Sequence, residues 1–558
     1  MSYQADMDRR EFIRRASVAG GIAGMTTLAG CAEEEPEADT FEDDGDLGEP
    51  VPSFMYLNNP EDYNPARHDA INLIGEQLNE AGLDVDVEVL EWGTLFTQVT
   101  ETYEFSMATW HRGLGVDPGR RVQEMFSSNR TDPGEGNFFG YENPELDPLL
   151  SEQLAVTDTD ERVEILHEIQ DILAEDVPMM PIVEMPAIMA FNNDQVDGFI
   201  GHGGDMGYFH DMINITVDNP DNRLIGSWSE SVEVMSPVGH SNQTKYLHQL
   251  DVMYDFLTRT DQELNFDPEI SIAQSLERPD SETVVAEIRD DAMFHDGEPL
   301  TAEDVAFSYN YISDETVPVY SAEGDLIENA EALDENTVEI AFTQGVGPFV
   351  TLLGTRLPII PKHVWEDVDD PAQYRTDEED RIGSGILEFD YWDIGSELGL
   401  VKNEDHWLAD RVDFDQRVWR IIPEISTNWQ LLSEGELNYL PFSRISRELD
   451  ENREQPQITV ETDEGDSWWF CGMNTREAGL DDKVVRQAVA HALPRTAVSE
   501  QLLYGYATAG SSVLPTGFGQ FHNPDVRQYE EGIEAARNHL VENDFVFDEN
   551  GRAHYPSE

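Results

Sequence analysis

The amino-acid sequence predicts an α/β fold. Strand and helix patterns alternate from the front of the chain to its back, and 39% hydrophobic and 9% aromatic residues supply a core. A length of 558 residues suits roughly two to four domains. Phe54 to Leu57 is a short apolar run. Ala70, Ile71, Ile74, Leu78 and Ala81 recur at helical spacing, and Gly82 ends that helix. Val85, Val87 and Val89 then alternate as a strand does. Further helices are expected through Val163, Leu166, Ile169 and Leu173, closed by Pro178, and through Val484, Val485, Ala488, Val489 and Ala492. No internal repeat is visible.

Acidic residues number 115 against 33 Lys plus Arg, a formal charge of -82. The apolar and aromatic content excludes general disorder and points to a folded body with a very acidic surface. Such a surface repels itself in dilute buffer, whereas in molar salt the Debye length falls to about 3 Å. The charge therefore reads as adaptation to an extremely salty medium. It also argues against nucleic acid as a partner, since phosphate binding needs clustered Lys and Arg.

Asp8-Arg9-Arg10-Glu11-Phe12-Ile13-Arg14 resembles a twin-arginine export signal. The weakly apolar stretch from Ala16 to Gly30 is too short and too Gly-rich to span a bilayer. It ends in Leu28-Ala29-Gly30-Cys31, which resembles a lipobox whose cysteine is lipidated. Residues 1–31 are therefore expected to be a lipoprotein signal. Residues 32–50, without a positive charge, are expected to be an extended acidic linker that holds the body off the outer face of the membrane. Cys471, in Trp468-Trp469-Phe470-Cys471, reads as a small buried hydrophobe.

The sequence holds no P-loop, no His-Glu-x-x-His, no Cys-x-x-Cys and no Gly-x-Ser-x-Gly elbow. Its 14 His residues lack metal-ligand spacing, so no cofactor or metal is expected. The Gly-rich stretch Gly201 to Gly207 reads as a loop, and Asp296-Gly297 as a turn.

Phe294-His295-Asp296-Gly297-Glu298-Pro299-Leu300-Thr301-Ala302-Glu303-Asp304-Val305 resembles the signature of the extracellular solute-binding proteins of peptide and nickel ABC importers. It reads as strand, turn and helix, with Thr301 as N-cap and Asp304 completing a capping box. Further segments resemble the family in order: Gly383-Ser384-Gly385 with Val401 to Trp407, Ser433-Glu434-Gly435-Glu436-Leu437-Asn438, and Asn474 with Asp482 to Ala488. The family's closing segments appear at the front of the chain instead. These are Leu78 to Val85, Trp110 to Pro118 with Phe126-Ser127-Ser128, Tyr141 to Asp147, and the Arg162 helix with Asp176-Val177-Pro178. The resemblance thus implies a circular permutant, with the usual ends joined near residues 205 to 223 and new ends near Pro50 and Glu558.

The resemblance implies a two-lobed fold of the type II periplasmic-binding-protein kind. Lobe two combines 51–190 and 463–558, and lobe one combines 191–265 and 375–462. An extra subdomain, 266–374, sits on lobe one, and strands near 190 and 463 cross between the lobes. It implies a monomer that does no chemistry. Such a protein captures a small molecule between the lobes and delivers it to ABC importer permease subunits. A ligand-sensing receptor module and a secreted hydrolase are the rival readings.

In the family's peptide binders an aspartate after the tryptophan equivalent to Trp110 holds the ligand amine. Here that position falls on Arg112 or Gly113. A peptide, a carboxylate-bearing solute and a sugar stacked on aromatic rings are therefore all candidate ligands. The candidate contact residues are Trp110, Arg112, Trp468, Trp469 and Asn474, with Tyr254 and His240 ranked lower. Because successive strand residues face opposite ways, at least one of Trp468 and Trp469 is expected in the core.

Overall fold

The computed structural model describes residues 47–557 other than 62, 201–208, 229–234, 239–250, 263, 315–316, 318–319, 369–370, 372–380 and 442–444. The export signal, Cys31, the linker up to residue 46, the heart of the Gly201–Gly207 loop and His240 lie outside the described residues.

The front of the chain forms β1 (Phe54–Asn58), α1 (Pro65–Ala81), β2 (Val85–Val89) and β3 (Met107–Gly113). β1 pairs in parallel with both β2 and β3. Helix α1 starts where Asn64 accepts the Arg67 N–H and Pro65 takes the first turn. It stops at Gly82, whose φ of 99° favours glycine. Its face of Ala70, Ile71, Ile74, Leu78 and Ala81 is completely buried, each of the large residues contributing about 1.5–3 kcal/mol. Next come α2 (Pro118–Phe126), α3 (Leu146–Ala155), α4 (Thr159–Asp176) and the long strand β4 (Met179–Asn192).

A short hairpin, β5 (Val196–Asp197) with β6 (Thr216–Val217), precedes β7 (Arg223–Trp228). Strands β8 (Ala273–Asp280), β9 (Thr283–Ile288), β10 (Ile327–Ala332) and β11 (Thr337–Phe342) form a separate antiparallel sheet covered by α5 (Ala302–Asp314). Gly297, with φ 87°, turns the chain before α5, and the Asp304 carboxylate accepts the Thr301 N–H at 3.0 Å. The Thr301 hydroxyl also donates to Asp304, at 2.8 Å.

The chain continues through β12 (Leu387–Asp393), β13 (Glu397–Lys402), β14 (Gln416–Ile421), α6 (Ile425–Glu434), β15 (Tyr439–Leu440) and the 16-residue β16 (Ile458–Met473). It ends with α7 (Lys483–Ala492), β17 (Thr508–Ala509), α8 (Ile533–Glu542) and the hairpin of β18 (Val546–Phe547) and β19 (Ala553–His554). The main sheet is eleven-stranded, in the order β12-β13-β14-β7-β15-β4-β16-β3-β1-β2, with β17 beside β4.

Two lobes emerge from this sheet because β4 and β16 are long enough to serve both. Met180, Ile182 and Val183 of β4 pack in a core with α1 and α7, and Met179 joins a second core built around Trp110, Phe126 and Phe138. Met189 and Phe191, farther along the same strand, belong to a different core that extends without a break from β7 and β13 into the subdomain. Pairing between β4 and β16 is interrupted between Asp463, opposite Ala187, and Ser467, opposite Met185. This bulge lies between the stretches of β4 and β16 that serve the separate cores.

The two ends of the described chain lie side by side. Val51 N–H donates to Ala553 O at 2.9 Å, and Tyr555 N–H donates to Glu49 O at 2.9 Å.

Candidate functional site

The last residues of β3 face the start of the second half of β16, with Arg112 opposite Trp468 and Gly113 opposite Ser467. Each neighbour of this edge is set by the bulge. A Cβ on Gly465 would stand 1.8 Å from Met185 O, so only glycine lets the bulge lie against β4. Asp466 follows. Its backbone carbonyl accepts the Leu114 N–H at 3.0 Å, and its Oδ2 accepts the Gly115 N–H at 2.8 Å. Oδ2 also lies 3.2 Å from the point where a Cβ on Gly113 would stand. Burial pushes the Asp466 carboxyl pKa up, and the Gly115 N–H pulls it part of the way back.

His111 Nε2 lies 2.9 Å from Ser467 Oγ. Desolvation, followed by Arg67, pushes its pKa down to about 4, so it is neutral at pH 7. Arg112 extends toward Phe138, its guanidinium carbon 5.9 Å from the ring centroid. Burial, reinforced by Arg121, lowers its pKa to about 10, and it remains charged at neutral pH. Among the described residues it makes no ion pair, although the chain is rich in carboxylates.

The other candidates are built into the protein. Trp110 is buried against Phe138 and Phe470 at ring distances of 4.7 and 4.8 Å. Trp468 is wholly buried in the same core, and Trp469 is buried in the core on the opposite face. The strand's alternation thus places both tryptophans inside, on opposite sides. Asn474 is also buried. Its amide donates to Phe105 O at 3.0 Å while its Oδ1 accepts from Arg476, so it braces the end of β16. Tyr254 is buried in lobe one. Of the five leading candidates Arg112 alone carries a charge, while the buried Trp468 Nε1 also lacks a hydrogen-bond partner.

Sequence reasoning missed Asp466, His111 and Ser467. Asp463-Glu464-Gly465-Asp466 reads as one more solvated acidic run, and a glycine inside it before an apolar strand is the available signal of a bulge. Glu184, opposite Trp468, is a brace: it accepts from Thr516 N–H at 3.0 Å and Thr516 Oγ1 at 2.8 Å. A hollow of about 760 Å³ lies elsewhere, on the subdomain surface beside Phe307, Asn310, Tyr311 and Lys362. Among the described residues no His, Cys, Asp and Glu cluster could hold a metal, and no helix is long and apolar enough to cross a membrane.

The model of the bacterial extracellular solute-binding proteins, family 5 (middle), matches residues 267–551, more than half of the chain. The chain belongs to this family. Family 5 members are extracellular solute-binding proteins, not enzymes. Similar proteins include the oligopeptide-binding protein AppA of Bacillus subtilis, 26% identical over 297 residues, covering 52% of this chain and 54% of that protein. Heme-binding protein A of Haemophilus influenzae is 24% identical over 296 residues, 50% of this chain and 54% of that protein. The dipeptide-binding protein of Escherichia coli is 23% identical over 285 residues, 47% of this chain and 52% of that protein. The chain thus spans about half the length of the curated relatives it matches. Among solved structures, AppA of Bacillus subtilis with a nonapeptide aligns at a TM-score of 0.44 and 21% identity, over 59% of this chain and 67% of that one. NikZ of Campylobacter jejuni with Ni(L-His) aligns at 0.45 and 19%, over 61% and 66%.

Proposed function

We propose that this family 5 protein is the substrate-binding component of an ABC importer and captures a peptide-like solute between its lobes. The observation that carries this reading is the position of Asp466. The resemblance leads one to expect an aspartate near Gly113. Gly113 has no side chain, but the Asp466 carboxylate reaches that place from the neighbouring strand. A carboxylate in a recess is the natural partner of a ligand ammonium group. Arg112, which makes no ion pair among the described residues, supplies a cation for a ligand carbonyl or carboxylate. The burial of Trp110, Trp468 and Trp469 removes the rings on which a sugar would stack.

Export by the twin-arginine route, a lipid anchor at Cys31, life in concentrated salt and a monomeric state belong to the same proposal. So does the permuted order. The antiparallel contact of residues 49–51 with 553–555 supports it, because ends that touch can be joined or cut at little cost to the fold.

The test is a thermal-shift screen of the mature chain in molar salt against oligopeptides, sugars and small carboxylates. Ligand at a hundredfold its dissociation constant adds about 2.7 kcal/mol of stability. Peptides that raise the midpoint support the reading. A screen in which only sugars raise it overturns the ligand class.

A further inference from the structure

The subdomain touches lobe two far along the chain from the crossing strands, through a set of polar contacts beside one apolar contact, Leu154, which packs into the subdomain's core. Glu323, in the short helix Ser321–Gly324, has a side chain only 3% exposed. Its Oε1 takes Arg120 Nη1 at 2.5 Å and Arg356 Nε at 2.5 Å. Arg356 belongs to the subdomain, whereas Arg120 belongs to α2, the helix that follows β3 in lobe two. A second contact lies at the start of the same helix. Thr351 Oγ1 donates to Asp117 Oδ2 at 2.9 Å, and Asp117 is held by Arg162 through bonds of 2.8 and 2.7 Å. A third lies at the end of α3, where Gly347 N–H donates to Leu154 O at 2.6 Å. A Cβ on Gly347 would stand 1.8 Å from Val156 O, so the loop lies flat against lobe two only as glycine.

We infer that Glu323, Thr351 and Gly347 form a latch through which the subdomain holds lobe two closed, with Glu323 bridging Arg120 to Arg356 as its centre. The chemistry suits a contact that is made and broken. Separation returns the Glu323, Arg120 and Arg356 charges to water, which solvates them, whereas parting two apolar faces recovers nothing of the kind. While the latch is shut, the buried Glu323 carboxylate depends on both arginines, whereas Arg120 also pairs with Glu124 at 3.1 Å. Loss of an arginine therefore strands the buried charge more than loss of Glu323 strands the arginines. Because α2 follows directly on β3, the latch also fixes how the strand carrying Arg112 is presented.

The test needs no ligand, so it stands apart from the peptide reading. Spin labels on Asp160→Cys and Glu282→Cys, both exposed positions beside the latch, report the distance across it. The parent protein should give one short distance. Glu323→Gln should add a longer one, with Arg120 and Arg356 deprived of their shared charge. Thr351→Val, a near-isosteric change that spares the ion cluster, should lengthen it to a smaller degree. If both variants keep the folded circular dichroism spectrum and the parent's distance distribution, the latch is refuted.

Discussion

Asp466 and Gly115 are joined across two strands by a hydrogen bond of 2.8 Å between residues 351 positions apart in the chain. That bond aims the carboxylate at the end of β3, in the space left by the missing side chain of Gly113. If this carboxylate receives the ligand amine, Asp466→Asn removes a charge-assisted bond worth about 1.5–3 kcal/mol. Affinity for a peptide should fall roughly ten- to a hundredfold. Calorimetric titration measures the loss, and the variant's own unfolding midpoint serves as the control.

Arg162 and Asp117 form a buried bidentate pair, their side chains 6% and 3% exposed. Arg162→Ala should cost about 3–5 kcal/mol, since it strands a buried carboxylate. Denaturant unfolding followed by tryptophan fluorescence reads the change.

His295 carries a pH dependence whose sign follows from its hydrogen bonds. Nδ1 accepts the Gly383 N–H at 3.2 Å, and Nε2 donates to Gly385 O at 3.1 Å, so the folded protein holds the neutral ring. Burial pushes its pKa down to about 4, below the ordinary 6.5. The unfolded chain therefore binds a proton first. The stability due to His295 is complete above pH 6.5 and is lost as pH falls toward 4. His295→Asn should be less stable at pH 7.5 and should flatten the dependence between pH 6.5 and 4. Unfolding free energies at several pH values measure both.

With a charge of -82, stability should rise as salt shortens the Debye length from about 10 Å at 0.1 M to about 3 Å at 1 M. Thermal melts across potassium chloride concentrations measure this. A midpoint that falls with salt contradicts the salt-adapted reading.

If the chain is permuted, a rearranged version that begins at Thr216, runs to Ser557 and continues into Leu47 should fold to the same sheet, because Tyr555 and Glu49 already touch. Matching circular dichroism and a similar melting midpoint are the expected results.

The fold was more legible in the sequence than the site. Ile71, Ile74 and Leu78 announce α1 because burial on one face imposes a period that any reader of the chain can count. Trp468 and Trp469 were legible as strand residues, but not which core each enters, since that depends on what packs on either side of the sheet. Asp466 was hidden for a plainer reason. Its role comes from a neighbour 351 residues away, and among 115 acidic residues one more carboxylate carries no local signal. The latch was hidden likewise, as Arg120 and Glu323 meet only in three dimensions.

The most direct test is calorimetric titration of the mature protein, in molar salt, with one peptide in two forms: free amine and N-acetylated. Tight binding of the free amine, lost on acetylation and lost in Asp466→Asn, is the predicted result. Equal binding of both forms, or binding untouched by Asp466→Asn, would contradict the assignment of Asp466 as the amine-holding group.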